Sequence, residues 1–257
     1  MERIDRTGFG SIRILQDPDS FCYGADAVIL AGFTADHLLN RKKQPENLLD
    51  LGTGTGILPL ILSHKTDIPE ILGIEMQENS FRLAERNVGL NALEGRVRFL
   101  KGDIAELQNP VFSDLRDHFD LAVSNPPYVE KSKGISCGES AHHTARHETT
   151  AGLREFLKFT FYALKDKGEL FVVNRPARTA DLCILGREIR MEVKEIRFVS
   201  GHIEEAPNLV LARLVKNGRP GLRVLAPMHI READGSMSEE MLRYHERNFE
   251  GGPYDYH

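Results

Sequence analysis

Apolar residues along this chain fall into short solid runs, separated by longer stretches in which they recur every third or fourth position. A solid run reads as a strand buried on both faces, and the wider spacing reads as a helix packed along one stripe. Strands are predicted at Asn47–Leu51, Ile71–Glu75, Val97–Leu100, Leu121–Ser124, Glu169–Val173, Glu195–Val199 and Asn208–Val215. Helices are predicted over Asp26–Leu39, Ile57 to about His64, Glu78 to about Gly89, about Thr150–Leu164 and about Arg178–Arg190. From Asn47 onward the two kinds of element alternate. That order predicts a doubly wound α/β sheet, mostly parallel, with helices on both faces and ligands at the carboxyl ends of its strands. Ahead of it, residues 10–24 read as a β-hairpin or two short strands, with Ile12, Ile14 and Leu15 on the apolar side and Asp17-Pro18-Asp19-Ser20 as the turn. Three regions are therefore expected: an N-terminal hairpin and helix over residues 1–44, a main domain over 45–231 that closes on Asn217-Gly218 and Pro220-Gly221, and an acidic tail over 232–257. The tail reads as a short helix followed by a mobile Gly/Pro-rich end.

The first predicted strand of the alternation runs into Asp50-Leu51-Gly52-Thr53-Gly54-Thr55-Gly56. Glycines at alternate positions let the backbone turn tightly at a helix N-terminus and approach a ligand closely. The spacing is G-x-G-x-G, not the G-x-G-x-x-G of a dinucleotide site. Asp50 would repel a pyrophosphate, whereas it would attract the ammonium of a methionine moiety. Glu75 ends the next strand, about 20 residues on, where a carboxylate accepts from ribose hydroxyls. Asp103 follows the third and could accept from an adenine amine. Together, Asp50, Gly52, Thr53, Gly54, Gly56, Glu75 and Asp103 point to S-adenosylmethionine.

The fourth strand ends in Asn125-Pro126-Pro127-Tyr128. An exocyclic amine on a base is a poor nucleophile, because its lone pair is delocalised into the ring. Two acceptors on its N–H groups can aim that lone pair at a methyl group. Asn125 offers a side-chain carbonyl and Pro126 a backbone carbonyl, and the prolines stiffen the loop that carries them. Tyr128 offers a face for stacking a base. The transfer needs neither metal nor strong base, but the nitrogen has to be flipped out or unpaired to enter.

Composition narrows the setting. The 257 residues are 41% hydrophobic, enough for one large domain with appendages, and no window reaches the apolar length of a membrane span. No signal peptide is visible, and Cys22, Cys137 and Cys183 are scattered with no CxxC, so a reduced, cytoplasmic setting is expected. The net charge is −5, yet residues 165–231 hold 13 Lys and Arg against 8 Asp and Glu, while residues 232–257 hold 2 against 7. A local basic face of that kind suffices for phosphates. Arg175 and Arg178, after the fifth strand, and Arg146, in the loop carrying His142, His143 and His147, are the candidate phosphate contacts. The His and Cys spacing in that loop matches no common zinc pattern, and no metal is expected.

The glycine turn and the Asn-Pro-Pro-Tyr tetrad together resemble the class I amino-methyltransferases that act on adenine, guanine or glutamine amide nitrogens. A closer resemblance spans nearly the whole chain. Phe21-Cys22-Tyr23-Gly24-Ala25-Asp26-Ala27-Val28-Ile29-Leu30, the tetrad, Ala145-Arg146-His147-Glu148, Asn174-Arg175-Pro176-Ala177-Arg178 and Glu205-Ala206-Pro207-Asn208 fall in the order seen in the bacterial adenine-N6 methyltransferases of valine tRNA. The resemblance implies a seven-stranded Rossmann-like class I methyltransferase and a tRNA substrate modified at the adenine next to the anticodon. It also implies that Tyr23 and Asp26 cover the cofactor and that Asn125, Pro126, Pro127 and Tyr128 hold the adenine. A guanine-N2 enzyme acting on ribosomal RNA, a protein glutamine methyltransferase and a non-catalytic binder are the alternatives; the short, strand-like segment ahead of the glycine turn disfavours the protein methyltransferase.

Overall fold

A computed structural model describes residues 2–16, 24–39, 41–126 and 152–245. The central sheet has nine strands. Its parallel half is β3 (Asn47–Leu51), β4 (Glu70–Glu75), β5 (Val97–Lys101), β6 (Phe119–Ser124) and β7 (Leu164–Asn174). β9 (Leu209–Lys216) inserts antiparallel between β7 and β8 (Met191–His202). Across the sheet the order is β5-β4-β3-β6-β7-β9-β8. β3 pairs with β4 on one side and β6 on the other, so the strand order reverses there. A ligand crevice opens at such a reversal, outside the carboxyl ends.

The seven predicted strands are all present, and two more extend the sheet. β10 (Arg223–Val224) and β11 (Met228–Arg231) both pair parallel to β8, along the edge that β9 leaves open. The turn residues after β9 therefore do not close the domain; they return the chain to cover an edge that would otherwise stay unpaired. Both additions are too short and too polar to carry a strand pattern of their own. β8 is also longer than its apolar run, beginning at Met191 and ending at His202.

The strand expected within residues 10–24 is present at Arg13–Gln16, and its partner lies upstream of that region. β1 (Arg3–Arg6) pairs antiparallel with β2 (Arg13–Gln16), so the turn is Thr7–Ile12. Thr7 organises it: its N–H and its hydroxyl both donate to the Ile12 carbonyl, at 3.2 and 2.9 Å, and Ile12 donates back to Phe9. Phe9 is fully buried and anchors the turn. Asp17–Ser20 lies outside the described residues.

Alternation places the strand residues on two faces. Leu48, Val123, Phe171 and Val173 enter one core with α1 (Ala25–Leu38), α2 (Ile57–Lys65) and α3 (Glu78–Leu90). Leu49, Ala122, Leu170 and Val172 enter the other with α4 (Leu153–Ala163) and α5 (Thr179–Ile189). Burial on both faces is why the strands read as solid apolar runs. Between α4 and β7 there is no separate loop; Phe119 pairs with Leu164 and Leu121 with Glu169, so the intervening residues bulge at Lys167, whose φ is 62°.

An ion-pair web fastens α1 to the antiparallel half. His37 lies 2.6 Å from Glu195, Arg213 contacts Glu195 at 3.0 Å and Glu169 at 3.2 Å, and Arg41 reaches Glu169 at 2.6 Å. Burial opposes the Glu195 charge, but Arg213, His37 and Arg223 together hold its carboxyl down to about 2. The acidic stretch after β11 also packs: α6 (Glu239–Tyr244) buries Met241 and Tyr244 against α1. A Cβ at Gly32 would lie 2.3 Å from the Tyr244 ring, so glycine is what allows this contact. Among the described residues no helix is long and apolar enough to cross a membrane.

Gly32→Ala gains helix propensity but collides with a ring that has no room to retreat. We expect a net loss of about 2 kcal/mol in urea unfolding, largely recovered when Tyr244 is shortened to Leu. An Ala variant as stable as the parent chain would show that α6 is not packed on α1 in solution.

Candidate active site

The glycine turn leaves β3 at the strand reversal. Gly52, Gly54 and Gly56 have φ of 70°, 57° and 85°, the left-handed region that residues with a Cβ avoid. Gly56 has a second reason to be glycine, since an added Cβ would sit 2.7 Å from the Phe99 ring. Around Gly54, in contrast, a Cβ would meet nothing within 4 Å among the described residues. The Gly52 and Thr53 N–H groups donate to the Ile74 carbonyl at 3.0 Å each, fixing the turn to β4.

Two acids frame the turn differently. Glu75 is 6% exposed, and its two oxygens accept from the N–H groups of Gly54 and Gln77, both at 2.8 Å. Those bonds orient the carboxylate and leave each oxygen a further lone pair for a ligand. Asp50 is 1% exposed, and neither of its oxygens has a hydrogen-bond partner among the described residues. Burial pushes its carboxyl up to about 7; the nearby Thr53 hydroxyl tempers the rise and the Glu75 charge adds to it. The Thr53 hydroxyl is close enough to be felt but is not in bonding geometry, for it too is buried without a partner. Native interiors seldom leave such groups orphaned, and one that persists points to a missing cation or donor.

Asp103 follows β5 and is half-buried, with Oδ1 accepting from the Ala105 N–H at 2.9 Å. Asp26 is half-buried in the first turn of α1. Tyr23, the remaining cofactor candidate, lies outside the described residues.

Asn125 and Pro126 leave β6, the strand beside β3, with Asp50 in register with Val123. The Ser124 hydroxyl donates to the Leu51 carbonyl at 3.0 Å and ties the two strand ends together. The glycine turn and the start of the tetrad therefore emerge side by side. Pro126 is buried, and with Leu153 and Phe156 of α4 it lines a small cavity. Phe156 also approaches within 3.5 Å of where a Gly52 Cβ would be, so one ring supports both motifs. Sequence reading passed over Phe156 because its spacing marks it only as a core residue. Pro127, Tyr128 and Arg146 lie outside the described residues, as does the His- and Cys-bearing loop; Cys183 is half-buried against the second core.

Arg175 and Arg178 follow β7 and are exposed. Arg175 donates to the Asn208 carbonyl at 3.2 Å, and Arg178 pairs with Asp181 at 3.0 Å. Both stand on the carboxyl side of the sheet, two strands from β3. Neither pairing is buried, so a competing phosphate would displace weak exposed bonds.

Residues 42–176 match a family profile described as a methyltransferase domain. Over 244 residues the chain is 29% identical to the tRNA1(Val) (adenine(37)-N6)-methyltransferase of Tolumonas auensis, covering 91% of this chain and 92% of that protein. It is 30% identical over 175 residues to the protein of the same name from Bacteroides thetaiotaomicron, covering 67% of each. Among solved structures it is similar to a "predicted O-methyltransferase" from Agrobacterium tumefaciens, with a TM-score of 0.67 at 19% identity over 86% of this chain and 95% of that one.

The Asp50 carboxyl gives a signed pH dependence. Its folded-state value lies above the ordinary 3.8, so the folded chain holds a proton that the unfolded chain releases. Stability without ligand is then lost as pH rises from about 4 to about 7, by up to about 4 kcal/mol. Asp50→Asn should be more stable than the parent by about 1–3 kcal/mol at pH 8, the unpaired amide offsetting part of the gain, with no advantage at pH 4. Urea midpoints at the two pH values check this, and equal differences at both would refute it.

Proposed function

The chain belongs to the tRNA1(Val) (adenine(37)-N6)-methyltransferase family, and we propose that it transfers a methyl group from S-adenosylmethionine to the N6 amine of adenine 37 in a valine tRNA. The observation that carries the chemistry is the emergence, from adjacent strands, of an orphaned buried carboxylate with its glycine turn and of the Asn125-Pro126 acceptors.

The residues fit the cofactor. An ammonium group would give the Asp50 oxygens the partner they lack, and its charge would return the carboxyl to its ionised form. Glu75, already oriented by two backbone N–H groups, would accept from ribose hydroxyls. Asp103 would accept from the adenine amine, and the open backbone at Gly54 would admit the ligand without a side chain in the way. When bound, S-adenosylmethionine supplies a methyl group on a cationic sulfur.

The remaining steps belong to the target side. The Asn125 side-chain carbonyl and the Pro126 backbone carbonyl would each accept one N–H of the target amine. Two such acceptors favour a tetrahedral nitrogen and turn its lone pair out of the ring and toward the methyl group. The proton is lost after the nitrogen has become cationic, so no strong base is required. Tyr128 is assigned to stack the base, which enters only when unpaired, as bases of an anticodon loop can be. Arg146, Arg175 and Arg178 are assigned to phosphates beside it; substituting these would weaken binding without changing which nitrogen reacts.

Labelled methyl transfer to tRNA lacking its modifications, followed by nucleoside analysis, tests the reading. Label is expected in N6-methyladenosine from valine tRNA. Asn125→Ala should lower kcat by about 100-fold or more while calorimetry shows S-adenosylmethionine binding within about threefold of the parent. Label in methylguanosine or in protein would overturn the substrate, and equal loss of binding and turnover would overturn the role of Asn125.

A further inference from the structure

Asn87 lies on the apolar stripe of α3, beside Leu83, Ala84 and Val88, and it is 0% exposed. An amide in that position is costly unless its hydrogen bonds are made. They are made, and all to backbone outside the helix. Asn87 Oδ1 accepts from the Leu15 N–H at 2.6 Å. Its Nδ2 donates to the Leu15 carbonyl at 3.1 Å and to the Thr55 carbonyl at 2.9 Å. Both donors are committed, and the one N–H that faces the amide fixes which end is oxygen.

The two partners belong to different parts of the molecule. Leu15 is in β2 of the N-terminal hairpin, and Thr55 sits between Gly54 and Gly56 in the glycine turn. One turn further on, at the C-cap of α3, Asn91 makes a related pair of bonds to Arg13: its Oδ1 accepts from the Arg13 N–H at 2.8 Å and its Nδ2 donates to the Arg13 carbonyl at 2.7 Å. Residues 13 and 15 point their backbone groups to the same edge of β2. The two asparagines, four residues apart and so on one face of the helix, thus stand in for a neighbouring strand along that edge. They differ in one respect. Asn91, partly exposed, joins the hairpin only to α3, its Nδ2 also donating to the Asn87 carbonyl at 2.7 Å, while Asn87 holds the hairpin and the glycine turn with one planar group.

We propose that Asn87 is a positioning residue that fixes the glycine turn and the N-terminal hairpin at one spacing, so that binding S-adenosylmethionine at the turn steadies the hairpin. A planar amide bonded on both sides transmits displacement, because neither carbonyl can move without breaking a buried bond. Coupling of this kind is reciprocal: what the ligand does for the hairpin, the hairpin does for ligand affinity. The inference rests on the cofactor assignment above.

Backbone hydrogen exchange of the intact protein, with and without S-adenosylmethionine, tests it first. Exchange of the Leu15 amide should slow by about tenfold on saturation. Calorimetry on the same sample separates the two readings. No binding at all would overturn the cofactor assignment and this inference with it, whereas binding with Leu15 exchange unchanged would overturn this inference alone. Two variants then isolate the bridge. Asn87→Ala should raise Kd and KM for S-adenosylmethionine about tenfold, with kcat at saturation within about threefold. Asn91→Ala should leave both constants within about twofold while exposing the Arg13 amide to faster exchange. A destabilised Asn87→Ala protein with unchanged Kd, or an Asn91→Ala variant that weakens binding equally, would reduce Asn87 to a structural residue. Should Asn87→Ala fail to fold, the exchange measurement on the parent chain still decides.

Discussion

A carboxylate held in the interior with no hydrogen bond to either oxygen is the constraint around which this fold is arranged. Asp50 sits in β3 next to the glycine turn, and that strand end is tied down on both sides. The Gly52 and Thr53 N–H groups are drawn onto the Ile74 carbonyl and Ser124 grips Leu51 from the other side. Burying an unpaired acid costs free energy, and that cost is tolerable only because the group can stay protonated near neutrality until a cation arrives. Glu75 is the opposite case. It is buried too, but two backbone N–H groups hold it, so it is oriented before any ligand comes. One acid is thus set to respond to charge and the other to geometry.

The strand reversal at β3 turns this local arrangement into a site. Because β4 and β6 lie on opposite sides of β3, the glycine turn and Asn125 leave the sheet as neighbours although 69 residues separate Asn125 from Gly56. No loop has to be bent to bring them together. Phe156 then fills the space below both, which makes α4 part of the site's floor without giving it any polar role.

Most of this was legible in the sequence where one physical cause dominates. Strands buried on both faces leave solid apolar runs, so all seven core strands and the α/β alternation could be read. The glycine turn was legible because left-handed backbone demands glycine, and the place of Glu75 at the end of β4 because an acid closes that apolar run. What escaped was structure set by partners distant in sequence. β10 and β11 are strands because β8 has an open edge, not because of their own residues. The pairing of β2 with β1 escaped because Thr7 closes that turn through a side-chain bond that propensity does not register. Asn87 reads as a polar interruption in an amphipathic helix; nothing local shows that its amide meets two backbones.

The segment matching the methyltransferase profile, residues 42–176, contains Asp50, Glu75, Asp103 and Asn125, yet it holds only part of the core on the Asp50 face of the sheet. Asp50 has the same parity in β3 as Leu48, which enters the core formed with α1 and α2. That core is closed by parts of the chain on either side of the profile: Phe9, Ile12 and Ile14 of the hairpin region, α1 itself, and Met241 and Tyr244 of α6. α1 is in turn held by the His37–Glu195 contact to β8 and by Tyr244 seated over Gly32. The terminal segments are therefore more than an extension and a tail. Burial is the largest cause of the raised Asp50 carboxyl, and the terminal segments share the core on that face of the sheet with α2 and α3. A chain trimmed to the profile would keep Asp50, Glu75 and Asp103 but lose Asp26 together with the hairpin, α1 and α6 that complete this core.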